Sequence, residues 1–77
     1  MRIGTLLGPL FPDVSRPLQA EDSPATLSTW DSMKQIEIVL TVEEAFGIDL
    51  TTREILDLKS VDRLVALLRR RGLDVSL

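Results

Sequence analysis

A stretch without Gly or Pro, residues 32–46, constrains the fold of this chain more than any other part of its sequence. It reads SMKQIEIVLTVEEAF, and Gly47 follows it directly. Apolar residues recur along it at helical spacing, and a glycine just past the last residue is a common end of a helix. The sequence therefore predicts a helix from Ser32 to Phe46 with Gly47 as its C-cap.

Residues 1–11 carry a weaker helical pattern. Gly4, Gly8 and Pro9 work against it, because glycine destabilises a helix interior and proline removes a backbone hydrogen bond. We expect a short or kinked first helix that is held mainly by its apolar face. The residues of that face are Ile3, Leu6, Leu7, Leu10 and Phe11.

The segment from Pro12 to Thr29 is rich in Pro, Ser, Asp and Thr, and this composition predicts a long loop. We expect its apolar residues Val14, Leu18 and Leu27 to lie against the domain. A loop of this length is uncommon inside a compact domain, and usually belongs to the function or to a particular fold.

Two further helices are predicted after Gly47. The residues TTREILDL (51–58) suit a short helix with Thr51 or Thr52 as its N-cap. Ser60 suits the N-cap of a last helix that runs from Val61 to about Arg71 and ends at Gly72. Ile48 and Leu50 should return to the core, as should the stripe of the last helix, Val61, Leu64, Val65 and Leu68. No repeat or strand alternation is visible, so the sequence predicts a small all-α bundle.

The composition excludes several classes of function. The chain has 77 residues, no Cys and no His, which excludes a disulfide framework, a Cys/His zinc site, a thiol nucleophile and the commonest proton shuttle. We see no convergent set of acid and base residues and expect neither an enzyme nor a metal site. No apolar run is long enough to span a membrane. The N-terminus lacks the features of a secretory signal, so we expect a cytoplasmic protein.

The charge is distributed unevenly along the chain. The net charge is −3, but residues 31–62 carry eight acidic and three basic residues, whereas residues 63–77 carry four arginines and one acid. The acidic middle disfavours nucleic acid as the main partner and favours basic protein surfaces. The late arginines would complement the dipole of a C-terminal helix.

The predicted long helix has two apolar faces. One is wide enough to serve the core. The second is a stripe formed by Met33, Ile36 and Leu40, with Glu43 on one side and Glu37 and Glu44 on the other. An apolar centre with a charged rim is typical of a partner surface, although another helix of the chain could instead cover the stripe. The residues of the core face are Ile38, Val39, Val42, Ala45 and Phe46.

Ser32 places a hydroxyl at the N-terminal end of the same helix. Backbone N–H groups and the helix dipole both favour an anion there, so the position suits a phosphate ester. The alternative is purely structural. Ser32 and Gln35 have the spacing of a capping box, in which the serine hydroxyl accepts a backbone hydrogen bond.

The stretch DSMKQIEIVLTVEEAFGIDL, Asp31–Leu50, resembles acyl carrier proteins. These proteins have Asp-Ser-Leu at the start of a helix that continues with hydrophobic residues, a Glu-Glu pair and Phe-Gly. Met33 replaces the usual Leu, a change that preserves volume and polarity. The similarity continues without gaps to Ser60-Val61-Asp62. Trp30 before Asp-Ser is more similar to stand-alone carriers of specialised pathways, and the Gly-Gly motif of peptidyl carriers is absent.

The resemblance implies a four-helix bundle in which Ser32 carries 4′-phosphopantetheine as a phosphodiester. A phosphopantetheinyl transferase would install the group from coenzyme A, with Asp31 assisting. The terminal thiol would hold acyl or aminoacyl groups as thioesters for acyl-loading and acyl-processing enzymes of fatty-acid, polyketide or other specialised lipid and metabolite biosynthesis. The helix that these enzymes recognise would present Met33, Ile36, Glu37, Leu40 and Glu44.

We expect residues 1–77 to form a single carrier domain and a monomer. Its parts would be a weak first helix and long loop (1–29), a carrier core (30–72) and a tail (73–77). The alternative from another class is an unmodified helical protein–protein interaction module. In that case Ser32 would only cap its helix, and the stripe of Met33, Ile36 and Leu40 would be a dimer seam.

Overall fold

The computed structural model describes all 77 residues, and it is entirely helical apart from loops and one isolated parallel bridge between Arg2 and Ser76. A 3₁₀ helix, Gly8–Leu10, follows the first α-helix. These elements confirm the all-α class, the short first helix and the long first loop. No helix has both the length and the apolar character needed to cross a membrane. The helices are α1 (Ile3–Leu7), α2 (Ser32–Phe46), α3 (Thr52–Leu56) and α4 (Val61–Arg70).

One apolar core joins all parts of the chain. Helix α4 contributes the four predicted residues and, in addition, Leu67, which is also buried. The long loop contributes Leu18 and Leu27, as expected, and Val14 packs against the core while half-buried. Leu50 is buried and Ile48 is half-buried, so the chain does return to the core after α2.

Helix α2 has the predicted bounds, and Gly47 ends it with φ of 64°, the left-handed conformation that favours glycine. Ile38, Val39 and Val42 are buried, and Phe46 packs against the core. The prediction for Ala45 is wrong, because its side chain is exposed. Ala45 lies at the edge of the core face on the last turn, where a methyl group is too short to reach the interior.

The long loop is organised around one buried carboxylate, Asp22, which is 2% exposed. Both Arg16 guanidinium NH groups donate to it at 2.9 Å, the Gln19 backbone N–H donates at 2.8 Å, and the Thr26 hydroxyl donates at 3.1 Å. The hydrogen bond from Arg16 is the main reason that the pKa of Asp22 falls to about 2. A bidentate charged pair of this kind fixes geometry as well as adding energy.

The same loop accepts hydrogen bonds from the first two backbone N–H groups of α4. The Val61 N–H donates to the Asp22 carbonyl at 3.0 Å and the Asp62 N–H donates to the Ala20 carbonyl at 2.9 Å. The next donor, the Arg63 N–H, is satisfied by the predicted cap residue Ser60, whose hydroxyl accepts at 3.1 Å. The loop is therefore part of the framework, because it satisfies N–H groups that a helix start leaves unpaired.

Gly4 allows the C-terminal residues to approach α1 closely. The Gly4 N–H donates to the Leu77 carbonyl at 2.8 Å, and the Ile3 N–H donates to the Ser76 carbonyl at 2.8 Å. A Cβ atom at Gly4 would lie 2.9 Å from that Leu77 oxygen. The glycine that weakens the helical pattern is thus required by a backbone contact, and Val75 of the C-terminal segment is buried in the core.

Gly4→Ala is expected to lower the free energy of unfolding by about 1 kcal/mol. A Cβ atom at this position would push the Leu77 carbonyl away from the Gly4 N–H, so that hydrogen bond must break. Urea unfolding of wild type and variant measures the loss, and an unchanged free energy of unfolding would contradict the close approach.

Candidate functional site

Ser32 is the first residue of α2, and the residue before it caps the helix. Asp31 has extended backbone angles, and its Oδ1 accepts a hydrogen bond from the Lys34 N–H at 2.9 Å. The interpretation of Ser32 as the cap is therefore wrong. A carboxylate one residue earlier takes that role, since Asp is as good an N-cap as Ser. The Ser32 side chain is exposed and its hydroxyl has no structural partner.

The surroundings of the Ser32 hydroxyl fit a phosphate ester. The backbone N–H groups of Ser32 and Met33 have no acceptor within the protein, and they lie at the positive end of a helix of 15 residues. A groove of about 540 Å³ opens beside the hydroxyl, and Trp30 and Ile36 are the hydrophobic residues that line it. The site thus offers an accessible oxygen, two free donors and space for an attached chain.

Trp30 and Gln35 hold the start of α2 against α3. The buried Trp30 indole N–H donates to Gln35 Oε1 at 2.7 Å. The Gln35 amide nitrogen in turn donates at 3.2 Å to the carbonyls of Ile55 and Leu58, at the end of α3. Gln35 therefore connects three elements rather than completing a capping box. The sequence offers one signal of this, a large aromatic residue directly before the Asp-Ser pair.

The second apolar face of α2 is open to solvent. Met33, Ile36 and Leu40 are 68%, 54% and 58% exposed, respectively. The alternative in which another helix of this chain covers the stripe is therefore wrong. These three large apolar side chains lie on one helix face and form an exposed apolar patch. Patches of this kind are typical of sites that bind a partner.

The acidic residues around this stripe differ in their surroundings. Glu37 and Glu44 are exposed, and Glu37 lies 3.4 Å from the Lys34 ammonium group. Lys34 also lies over the Phe11 ring, 5.7 Å from its centre. Glu43 is half-buried, and its carboxylate accepts from the Leu50 N–H at 2.8 Å. Glu43 thus holds the connection after α2, whereas Glu37 and Glu44 leave their charges at the surface.

Comparison with known families connects this geometry to a chemistry. The profile of the family described as "Phosphopantetheine attachment site" matches residues 30–68. This range covers just over half of the chain and includes Ser32 near its start. Comparison with curated proteins gave no match, and comparison with solved structures gave none either.

Proposed function

This chain belongs to the family of proteins with a phosphopantetheine attachment site, and from that premise we propose that Ser32 is the residue that carries 4′-phosphopantetheine. The observation that carries this proposal is the exposed hydroxyl of Ser32, which Asp31 frees by capping the helix in its place. The two unpaired N–H groups beside it would favour the negative charge of a phosphodiester.

The family role is that of a carrier rather than an enzyme. The attached group supplies a terminal thiol, which this chain lacks because it contains no Cys. We propose that the thiol holds acyl or aminoacyl intermediates as thioesters in fatty-acid, polyketide or other specialised lipid and metabolite biosynthesis. Tethering replaces free diffusion of the intermediate by a local search at high effective concentration.

We further propose that α2 presents the attachment site to partner enzymes through its exposed stripe. Met33, Ile36 and Leu40 would make the apolar contact, and Glu37 and Glu44 would steer basic partner surfaces. Asp31 would assist the phosphopantetheinyl transferase, since one of its carboxylate oxygens has no partner within the protein. Such contacts favour fast association more than tight binding, as a carrier that must also leave its partner requires.

The test of the attachment is the intact mass of the protein after reaction with coenzyme A and a broad-specificity phosphopantetheinyl transferase. A gain of one phosphopantetheinyl group per chain supports the proposal. No gain contradicts it and favours the unmodified interaction module, whose exposed stripe would then be a dimer seam.

Charge reversal at the rim is expected to slow transfer without unfolding the protein. Glu37→Lys and Glu44→Lys should each lower kcat/KM of the transferase about threefold to tenfold at low salt, because exposed charge pairs contribute up to about 1 kcal/mol each. Glu21→Lys, an exposed change in the long loop, serves as the control. Equal kinetics for all three variants at low salt would contradict the recognition face.

A further inference from the structure

A second surface lies between α3 and α4, away from the attachment site. It is a groove of about 570 Å³, and none of its lining residues belongs to α2. Leu67 of α4 is buried at its floor, and Leu56 of α3 stands beside it with 70% of its surface exposed. We call this surface the α3–α4 groove. Its exposed apolar side chain, Leu56, is not covered by any other part of the chain.

The two acidic side chains of the α3–α4 groove are already paired. The Arg71 Nε donates to Glu54 Oε2 at 2.9 Å, and this guanidinium lowers the pKa of Glu54 to about 2. Asp57 accepts from Arg63 at 2.8 Å. Each carboxylate therefore already has one arginine as a close partner, and only Asp57 lies near a second cation, Arg70, at 4.0 Å.

Three cations of the α3–α4 groove remain without a close partner. Arg53 and Lys59 form no ion pair, and Arg70 is 72% exposed and lies only within 4.0 Å of Asp57. The dipole of α4 accounts for Arg70 in its last turn. It does not account for Lys59, which lies outside any helix, or for Arg53 near the start of α3. A protein with a net charge of −3 thus carries one concentrated positive surface.

We propose that the α3–α4 groove binds an acidic segment of a partner protein. An apolar side chain of the segment packs against Leu56, and its carboxylates pair with Arg53, Lys59 and Arg70. A concave site with an apolar point suits a narrow peptide segment better than a flat lipid surface. Charge complementarity selects the partner.

This inference goes beyond the carrier function, because it does not require Ser32 to be modified. The exposed face of α2 is acidic and the α3–α4 groove is basic, so the two surfaces attract opposite classes of partner. A protein bound in the groove would leave Met33, Ile36 and Leu40 free for the enzymes that act on the attached group.

The test is a titration of the full chain followed by NMR of backbone amides. The probe is a short synthetic peptide with a leucine between glutamates, and its counterpart has every Glu replaced by Gln. The chemical-shift changes of the backbone amides should concentrate at residues 53–59 and 67–71, and they should be larger at low salt. Arg53→Glu and Lys59→Glu should each weaken binding about threefold to tenfold. Arg2→Glu, the same change on exposed Arg2 outside the groove, should leave binding unchanged.

Several results would overturn the proposal. Shifts confined to α2, equal binding of the Gln peptide, or equal weakening by Arg2→Glu would each remove the groove as an acidic-segment site. Co-sedimentation with phosphatidylglycerol vesicles in the absence of peptide binding would assign the cations to a lipid surface. Concentration-dependent self-association abolished by Arg53→Glu would assign them to a second copy. Repeating the titration with Ser32→Ala separates this result from that of the attachment proposal.

Discussion

Ser32→Ala is expected to abolish the mass gain from coenzyme A and transferase completely while leaving the fold unchanged. The hydroxyl is the proposed acceptor, and no other atom of the protein depends on it, since Asp31 supplies the cap. Alanine is the best helix former, so the free energy of unfolding should change by less than about 0.5 kcal/mol. Intact mass spectrometry and urea unfolding measure the two effects separately.

Ser60→Ala is the matched control, because it should lower the stability of the protein and leave its modification unchanged. The Ser60 hydroxyl caps α4 by accepting from the Arg63 N–H at 3.1 Å. Its loss should cost about 1 kcal/mol of stability and leave the mass gain intact. Retained modification of the Ser32→Ala protein would assign the ester to another hydroxyl. A loss of modification in both variants would point to an indirect effect of folding.

Asp22→Asn is expected to lower the free energy of unfolding by about 2–4 kcal/mol at neutral pH. The substitution leaves Arg16 without its bidentate partner and weakens the acceptor for Gln19 and Thr26. A single core in a domain of this size rarely supplies more than roughly 3–5 kcal/mol of net stability. The variant should therefore keep only a small part of the net stability of the wild type and unfold at a much lower urea concentration, which circular dichroism would detect.

The stability that Asp22 provides should also depend on pH, and its low pKa means that this stability is lost in acid. The pKa of Asp22 is about 2 in the folded protein against an ordinary value of 3.8, so the folded state favours the ionised form. Ionised Asp22 therefore contributes about 2 kcal/mol to the free energy of unfolding. The contribution is fully present above the pKa of Asp22 in the unfolded chain, and it is lost as the pH falls towards the pKa of Asp22 in the folded protein. Wild type and Asp22→Asn should thus converge in stability between about pH 4 and pH 2.

Glu21→Gln provides the control for both measurements, because Glu21 is exposed in the same loop and forms no ion pair. It removes the same charge and should change the free energy of unfolding by less than about 0.5 kcal/mol at any pH. A loss at Glu21 as large as that at Asp22 would indicate a general charge effect instead of the buried pair.

The sequence predicted the elements that depend on local signals. Helix α2 has uninterrupted apolar periodicity and a glycine at its end, and both signals lie within the segment itself. Thr51 is the N-cap of α3 and forms a capping box with Glu54, and Ser60 is the N-cap of α4. Ser32, the proposed attachment residue, could also be identified from the sequence, because its neighbours carry the resemblance.

The sequence did not reveal the contacts between distant segments. The bonds between the loop carbonyls and the start of α4 join residues about forty positions apart, and the pairing of Asp22 with Arg16 depends on how the loop between them folds. The spacing of Ser32 and Gln35 fits a capping box, yet Gln35 bonds to Trp30 and to α3. Local patterns state which bonds a residue can make, and tertiary packing decides which of these bonds form.

The position of Trp30 gives this protein an intrinsic fluorescent reporter. Trp30 is the only tryptophan of the chain and there is no tyrosine, so excitation of the indole is free of overlapping signals. Its ring is buried, lies 5.9 Å from the Phe11 ring, and is two residues from Ser32. Emission from a single residue can therefore follow both unfolding of the core and modification of Ser32, the proposed attachment residue, without any added dye.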